Sequence, residues 1–215
     1  MSNYQTFEYD VLVIGAGGAG LRAAIEAFDL PTVWLEQMLD AQLTEIAPPD
    51  PFNLAEFRNF ADESEAARIR LAARIAAGGR DLGEAKAHAP AAMALALTRL
   101  LRELPFKAGH APALIPADLA ARHGVSVRDF DSGSASAGVI AACAELRRLA
   151  REELAEAERR LKNSPPEILP AFVPLGALKL DLARLDRNGE HPFVSQSETS
   201  PLRRQWAIWR WARGR

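Results

Sequence analysis

The sequence predicts an all-α protein with a short βα unit at its start, and three observations carry that prediction. Alanine makes up about a fifth of the 215 residues, and it is the strongest helix former and a poor strand former. Beyond residue 31, apolar residues recur every three or four positions, the period of helices with one buried face. After residue 36, no run alternates with the period of two that a half-buried strand requires.

The elements follow in order. Tyr9-Asp10-Val11-Leu12-Val13-Ile14 reads as a buried strand, followed by Gly15-Ala16-Gly17-Gly18-Ala19-Gly20 and a helix over residues 21–27. In this G-x-G-x-x-G, Gly15 would make the tight turn, Gly17 would let a pyrophosphate reach the backbone, and Gly20 would let helix pack on strand. The helix N-terminus would then offer N–H groups to phosphates. Thr32-Val33-Trp34-Leu35-Glu36 has two readings. It is a second strand ending in a ribose-binding acid, Glu36, or the start of a helix opened by Pro31 and continued through Met38, Leu39, Gln42 and Ile46. Pro48, Pro49 and Pro51 break the chain.

Asn53 caps a helical run over 54–77, with a stripe through Phe57, Phe60, Ile69 and Ile75, ended by Gly78-Gly79. Residues 81–104 form a helix bent or split at Pro90, and 116–123 a short one stopped by Gly124. A polar loop, Ser132-Gly133-Ser134, leads into the longest helix, 135–162, with the stripe Ile140, Cys143, Leu146, Leu149, Leu154 and Leu161. Pro170 opens a helix to about Arg187 that Gly189 closes, and a final helix starts at Pro201.

Composition bounds the function. Hydrophobic residues are 48% and charged residues 25%, the balance of a globular domain rather than a disordered chain. A net charge of -2 provides no overall basic field for nucleic acid. One cysteine excludes an intramolecular disulfide framework and a Cys-built zinc site. The longest apolar stretch, 11–28, is interrupted by Arg22 and Glu26, and Glu8 and Asp10 stand where a signal peptide would be positive. The expectation is an intracellular protein without a membrane span.

Two family resemblances add to this. Residues 8–26, with the doubled Gly17-Gly18 followed by Ala19-Gly20-Leu21-Arg22-Ala23, resemble the FAD-binding start of the succinate dehydrogenase/fumarate reductase flavoprotein. That resemblance assigns Gly15, Gly17, Gly20 and Glu36 to FAD, although no later flavin-attachment segment or catalytic Arg/His constellation follows. Residues 27–215 resemble the squalene/phytoene synthase family. The segments that carry it are Leu114-Ile115-Pro116-Ala117-Asp118-Leu119-Ala120-Ala121-Arg122-His123-Gly124-Val125, Leu169-Pro170-Ala171-Phe172-Val173-Pro174 and Ser200-Pro201-Leu202-Arg203-Arg204-Gln205-Trp206. The organisation implied is a flavoprotein-like fragment over 1–26 and a truncated isoprenoid-synthase-like helical bundle over 27–215.

Active members of that family hold a substrate diphosphate through Mg²⁺ between two Asp-rich motifs, because hard cations need carboxylate oxygens presented together. The second motif, Q-x-x-N-x-x-R-D-x-x-x-D, aligns on Arg102. Ala96 replaces Gln, Arg99 replaces Asn, Glu103 replaces Asp and Lys107 replaces the final Asp. The first motif belongs upstream of residue 27, where the flavoprotein-like piece stands. Arg102 and Glu103 are thus remnants of a site whose metal clamp is lost, and no metal site is assigned. Two other carboxylate pairs, Glu36 with Asp40 and Asp62 with Glu65, have helical spacing but read first as solvated faces. His88, His110, His123 and His191 are scattered, with His123 expected near the last carbonyls of its helix, and Cys143 fits the core stripe.

The resemblance implies a catalytically degenerate protein that binds an isoprenoid or lipid, or helps assemble a respiratory complex, as does the family's complex I assembly subgroup. An active prenyl transferase and an FAD-binding oxidoreductase fragment are the alternatives. No cofactor is expected on the main reading, and FAD or Mg²⁺ on the alternatives. If the three long helices enclose a cavity, Arg99, Arg102 and Lys107 would face an anionic head group. Alternatively, alanine-rich helices close that space. The tail 203–215 is basic and Trp-rich. It docks Leu202, Trp206 and Trp209 on the core, meets an anionic membrane surface, or does both. The implied setting is the cytoplasm of a bacterium, next to the inner membrane, or the mitochondrial matrix.

Overall fold

The computed structural model describes residues 18–50, 52–83, 86–110, 113–195 and 199–214. Among these the chain is helical throughout, with no strand. The helices are α1 (Gly18–Phe28), α2 (Thr32–Ile46), α3 (Leu54–Ala61), α4 (Ala67–Ala76), α5 (His88–Lys107), α6 (Ala117–Arg122), α7 (Val127–Asp131), α8 (Ala137–Leu161), α9 (Leu175–Arg187) and α10 (Pro201–Arg213). A π-helical turn, Asp62–Ala66, joins α3 to α4, and a 3-10 helix, Pro166–Phe172, precedes α9.

The proposed strand over residues 9–14, with Gly15 and Gly17, lies outside the described residues, whereas Gly20 sits in α1. The strand reading of Thr32 to Glu36 is corrected to helix: Pro31, at φ −63°, is extended just before α2, where a missing N–H costs no hydrogen bond. Asn53 caps α3 as its sequence position requires, its Oδ1 accepting from the N–H groups of Ala55 at 2.8 Å and Glu56 at 3.1 Å. The run that follows is interrupted by the π turn, and Ile75 is exposed rather than part of the buried stripe. The helix expected over 81–104 begins only at His88, which places Pro90 in a first turn where it breaks nothing. Pro170 lies inside the 3-10 helix and does not open α9.

The core centres on α5 and α8, the most extensively packed pair of helices. Ala91, Ala92, Ala94 and Ala96 of α5 and Ala142, Ala150 and Ala157 of α8 are buried with Leu97, Leu101, Leu104, Val139, Leu146 and Leu154. The alanine-rich helices therefore close on their neighbours instead of lining a wide hollow, which preserves dispersion contacts that an empty apolar cavity would lose. Val139 takes the buried position assigned to Ile140.

The docking expected of the last helix is also corrected. Leu202, Trp206 and Trp209 are exposed (81%, 57% and 50%). Ile208 and Trp211 face the core instead, against Gly176 of α9, and Trp211 Nε1 donates to Glu158 at 3.2 Å. Helical spacing separates these two sets: 202, 206 and 209 fall on one face, and 204, 208 and 211 on the opposite one. Gly176 permits the contact, because a Cβ there would lie 2.9 Å from the Ile208 Cα.

Candidate functional site

The second-motif remnant occupies the C-terminal half of α5, where Arg99, Glu103 and Lys107 follow one another at i, i+4. That spacing aligns their heads on one face, and opposite charges pair along it. Glu103 approaches Lys107 at 3.2 Å and Arg99 at 4.0 Å. Arg99 is anchored further by two acids that sequence reading did not assign to the site as partners. Its guanidinium donates to Glu45 of α2 at 2.6 Å and lies 3.7 Å from Glu65 of the π turn. It also lies over the Phe60 ring, 5.6 Å from its centroid. Glu65 is buried, and Arg68 holds its other oxygen at 3.3 Å.

Next to this cluster lies a cavity of about 240 Å³. Its charged lining consists of Arg99, Arg102, Glu103, Arg147, Asp181 and Arg184, so four guanidinium groups face two carboxylates. The apolar lining comes chiefly from Leu101, Leu104, Phe106, Leu185 and Val194. Asp181 of α9, 3% exposed, is the fixed negative charge: it accepts from Arg204 of α10 at 3.1 Å and faces Arg102 at 3.5 Å. Arg147 pairs with Asp186 at 3.3 Å. Arg184 differs from the others, donating to the neutral Thr199 hydroxyl at 2.6 Å with no carboxylate within 4 Å among the described residues. Cys143 also borders the cavity, but burial pushes its thiol pKa up to about 11. At neutral pH it is a protonated thiol and a poor nucleophile.

The arrangement suits an amphiphilic anion better than a metal. Mg²⁺ needs carboxylate oxygens with charge to spare, whereas Glu103, Glu45 and Glu65 are each paired with a cation. No group of three His, Cys, Asp or Glu side chains able to hold a metal occurs among the described residues. The other candidate pair, Asp62 and Glu65, is divided among three guanidinium groups, with Asp62 bidentate to Arg70 at 2.8 and 3.1 Å and Glu65 between Arg68 and Arg99. Glu36 and Asp40 are exposed on α2. His123 turns its Nε2 to Glu145 at 2.5 Å, not to the carbonyls of its own helix.

Arg102 and Glu103 thus border the cavity, while Gly20 and Glu36 stand on α1 and α2, away from its lining. Asp181 and Arg184 were missed, although Leu178, Asp181, Leu182 and Leu185 share one apolar stripe in which an acid is out of place. That misfit was the available signal. The cavity forms between α5, α8 and α9, and not among α4, α5 and α8 as the sequence suggested.

Comparison with known proteins agrees with this fold. Human NADH dehydrogenase (ubiquinone) complex I, assembly factor 6 is 25% identical over 179 residues, a match covering 82% of this chain and 54% of that protein. Phytoene synthase of Thermus thermophilus is 32% identical over 188 residues, covering 85% of this chain and 64% of the enzyme. The chain therefore spans between about half and two thirds of the length of these relatives. The crystal structure of squalene synthase HpnC from Alicyclobacillus acidocaldarius superposes with a TM-score of 0.70 at 18% identity, covering 81% of this chain and 66% of that one. None of these matches supports the flavoprotein resemblance of residues 8–26. The sequence pattern of squalene/phytoene synthases matches residues 18–210, so the chain belongs to the squalene/phytoene synthase family.

Proposed function

We propose that this protein is a non-catalytic member of its family that serves respiratory-complex assembly, with the α5–α8–α9 cavity as a seat for an anionic isoprenoid or lipid. The observation that carries this reading is the Arg99–Glu103–Lys107 stripe. Where the family motif has Asn and its final Asp, this chain has the cations Arg99 and Lys107, and both are paired with Glu103 between them, Arg99 also with Glu45 and Glu65. The likeness to complex I assembly factor 6 supports the assembly role. The cavity supports the ligand class: its apolar wall suits a hydrocarbon chain, and Arg184 offers N–H donors to an anionic head.

Two measurements test the proposal. Purified protein with farnesyl or geranylgeranyl diphosphate and Mg²⁺ should release no pyrophosphate, and measurable turnover would restore the prenyl transferase reading. Deletion of the gene in its host should lower the amount of assembled complex I on native gels. Normal assembly in the deletion strain would remove the assembly role. For the ligand, farnesyl diphosphate should raise the thermal midpoint by mass action. No shift with Arg184→Gln and a clear shift with wild type is the expected pattern.

A further inference from the structure

The outward face of α10 has no role in the cavity and needs an explanation of its own. Leu202, Trp206 and Trp209 project from it, each at least half exposed, on a helix that buries no residue completely. Burying large apolar side chains is worth about 1.5–3 kcal/mol each, so leaving three of them on one face forgoes a large gain unless something covers them. By helical spacing Arg213 lies on that face and Arg203 and Arg210 along its edge, all three exposed. Arg210 stacks over the Trp206 ring at 4.9 Å, and Arg213 over Trp209 at 4.4 Å. A guanidinium over an indole ring still has N–H groups that can donate to an anion. The helix contains no acidic residue, and its one core-facing arginine, Arg204, is committed to Asp181. The opposite face is fixed to the fold by Ile208 and Trp211, so the Trp–Arg face is presented on a firm base.

We propose that α10 docks this protein on the surface of an anionic lipid bilayer. Trp206, Trp209 and Leu202 enter the interface, and Arg203, Arg210 and Arg213 pair with lipid phosphates. Indoles favour the headgroup level, where one end is wet and the other apolar. Each arginine near a negatively charged bilayer adds attraction that salt screens. Among the described residues no helix is long and apolar enough to cross a membrane, and the contact proposed for α10 is interfacial. A lipid surface is favoured over a protein partner by charge complementarity. The exposed apolar stripe is narrow and interleaved with cations, as a phosphate-rich plane requires, and lacks the acid–base mixture of a polar protein rim. This inference does not depend on the assembly role or on the cavity.

The test is vesicle flotation of the full chain with phosphatidylcholine alone and with phosphatidylcholine–phosphatidylglycerol, together with tryptophan emission. Wild type should float with the anionic vesicles, lose that binding in high salt, and show blue-shifted emission quenched by brominated lipid. Trp206→Ala with Trp209→Ala should weaken partitioning at least tenfold. Changing Arg203, Arg210 and Arg213 together to Gln should weaken it about a hundredfold on anionic vesicles. All five positions are solvent-facing, so thermal midpoints should stay at the wild-type value. Should the multiple variants unfold, brominated-lipid quenching of the wild type carries the test by itself. Absence of flotation overturns the proposal. So does equal binding to neutral vesicles, or a concentration-dependent dimer that disappears with the Trp substitutions.

Discussion

Replacing Arg99 by Asn and Lys107 by Asp restores two family residues, yet this double variant should be less stable and, on the proposed non-catalytic reading, release no pyrophosphate. Arg99 neutralises Glu45, Glu65 and Glu103, whose side chains are 22%, 10% and 36% exposed. Removing it leaves Glu45 facing no cation in the cluster and Glu65 with only Arg68. Exposed ion pairs contribute about 0–1 kcal/mol, and breaking a fully buried pair costs about 3–5 kcal/mol. These acids lie between those limits, so the loss is about 2 kcal/mol. The carboxylate at position 107 then repels Glu103 one turn away, adding about 0.5 kcal/mol. For a chain of this size, 1 kcal/mol shifts the midpoint by about 2–4 °C, so melting should fall by about 5–10 °C. Circular dichroism melts and a pyrophosphate-release assay measure both effects, and Arg99→Lys, which keeps a cation, should lose far less. An unchanged midpoint, or pyrophosphate release by the double variant, would show that the charge stripe is not what replaced the metal clamp.

Three further outcomes follow from single positions. Gly176→Ala adds helix propensity worth about 1 kcal/mol, but its Cβ would meet the Ile208 Cα and Trp211 Cβ at 2.9 Å, and overpacking costs about 1–3 kcal/mol. The midpoint should therefore fall and Trp emission shift red as α10 loosens; a raised midpoint would mean the contact is soft. The Cys143 thiol, pushed up to about 11 by burial, should resist Ellman's reagent at pH 8 until denaturant is added. Because its folded pKa exceeds its unfolded value, the stability it contributes is complete below about pH 9 and is lost as pH rises towards 11. Glu63 is raised by burial and then by Asp40, Asp62 and Glu56, so its charged form is disfavoured in the fold. Glu63→Gln should raise the thermal midpoint at pH 7, and the gain should shrink as the pH falls and the wild-type carboxyl takes up its proton.

Helix order was largely legible, since caps and breakers act locally: Asn53 and Gly124 stand at the ends their chemistry predicts, whereas α7 was not foreseen and Ser136, read as part of the long helix, is its N-cap. Boundaries failed where a proline had two legal positions. Pro90 and Pro170 were each read for a single role, and packing chose the other. The π turn had no signal in composition or spacing, yet it carries Glu65 to Arg99. Which side of α10 faces the core was also hidden. A stripe of Leu202, Trp206 and Trp209 reads as a buried face, whereas the structure turns Ile208 and Trp211, both half-buried, inward because a glycine, Gly176, stands opposite them.

On the proposed non-catalytic reading, the same geometry implies that a metal site would not return by one or two reversions. In α5, i, i+4 spacing is indifferent to charge sign: it aligns three carboxylates for a cation as readily as it aligns Arg99, Glu103 and Lys107 for one another. Once a cation stands at position 99, nearby acids are free to be buried, since Glu65 at 10% side-chain exposure is tolerable only with a partner. Asp181, at 2%, is bound in the same way to Arg102 and Arg204. Each buried acid then makes its arginine indispensable. The charge pattern is consequently tied to folding stability, and of the arginines that line the cavity, Arg184 is the one without a carboxylate within 4 Å among the described residues, leaving its N–H groups able to donate to an anion there.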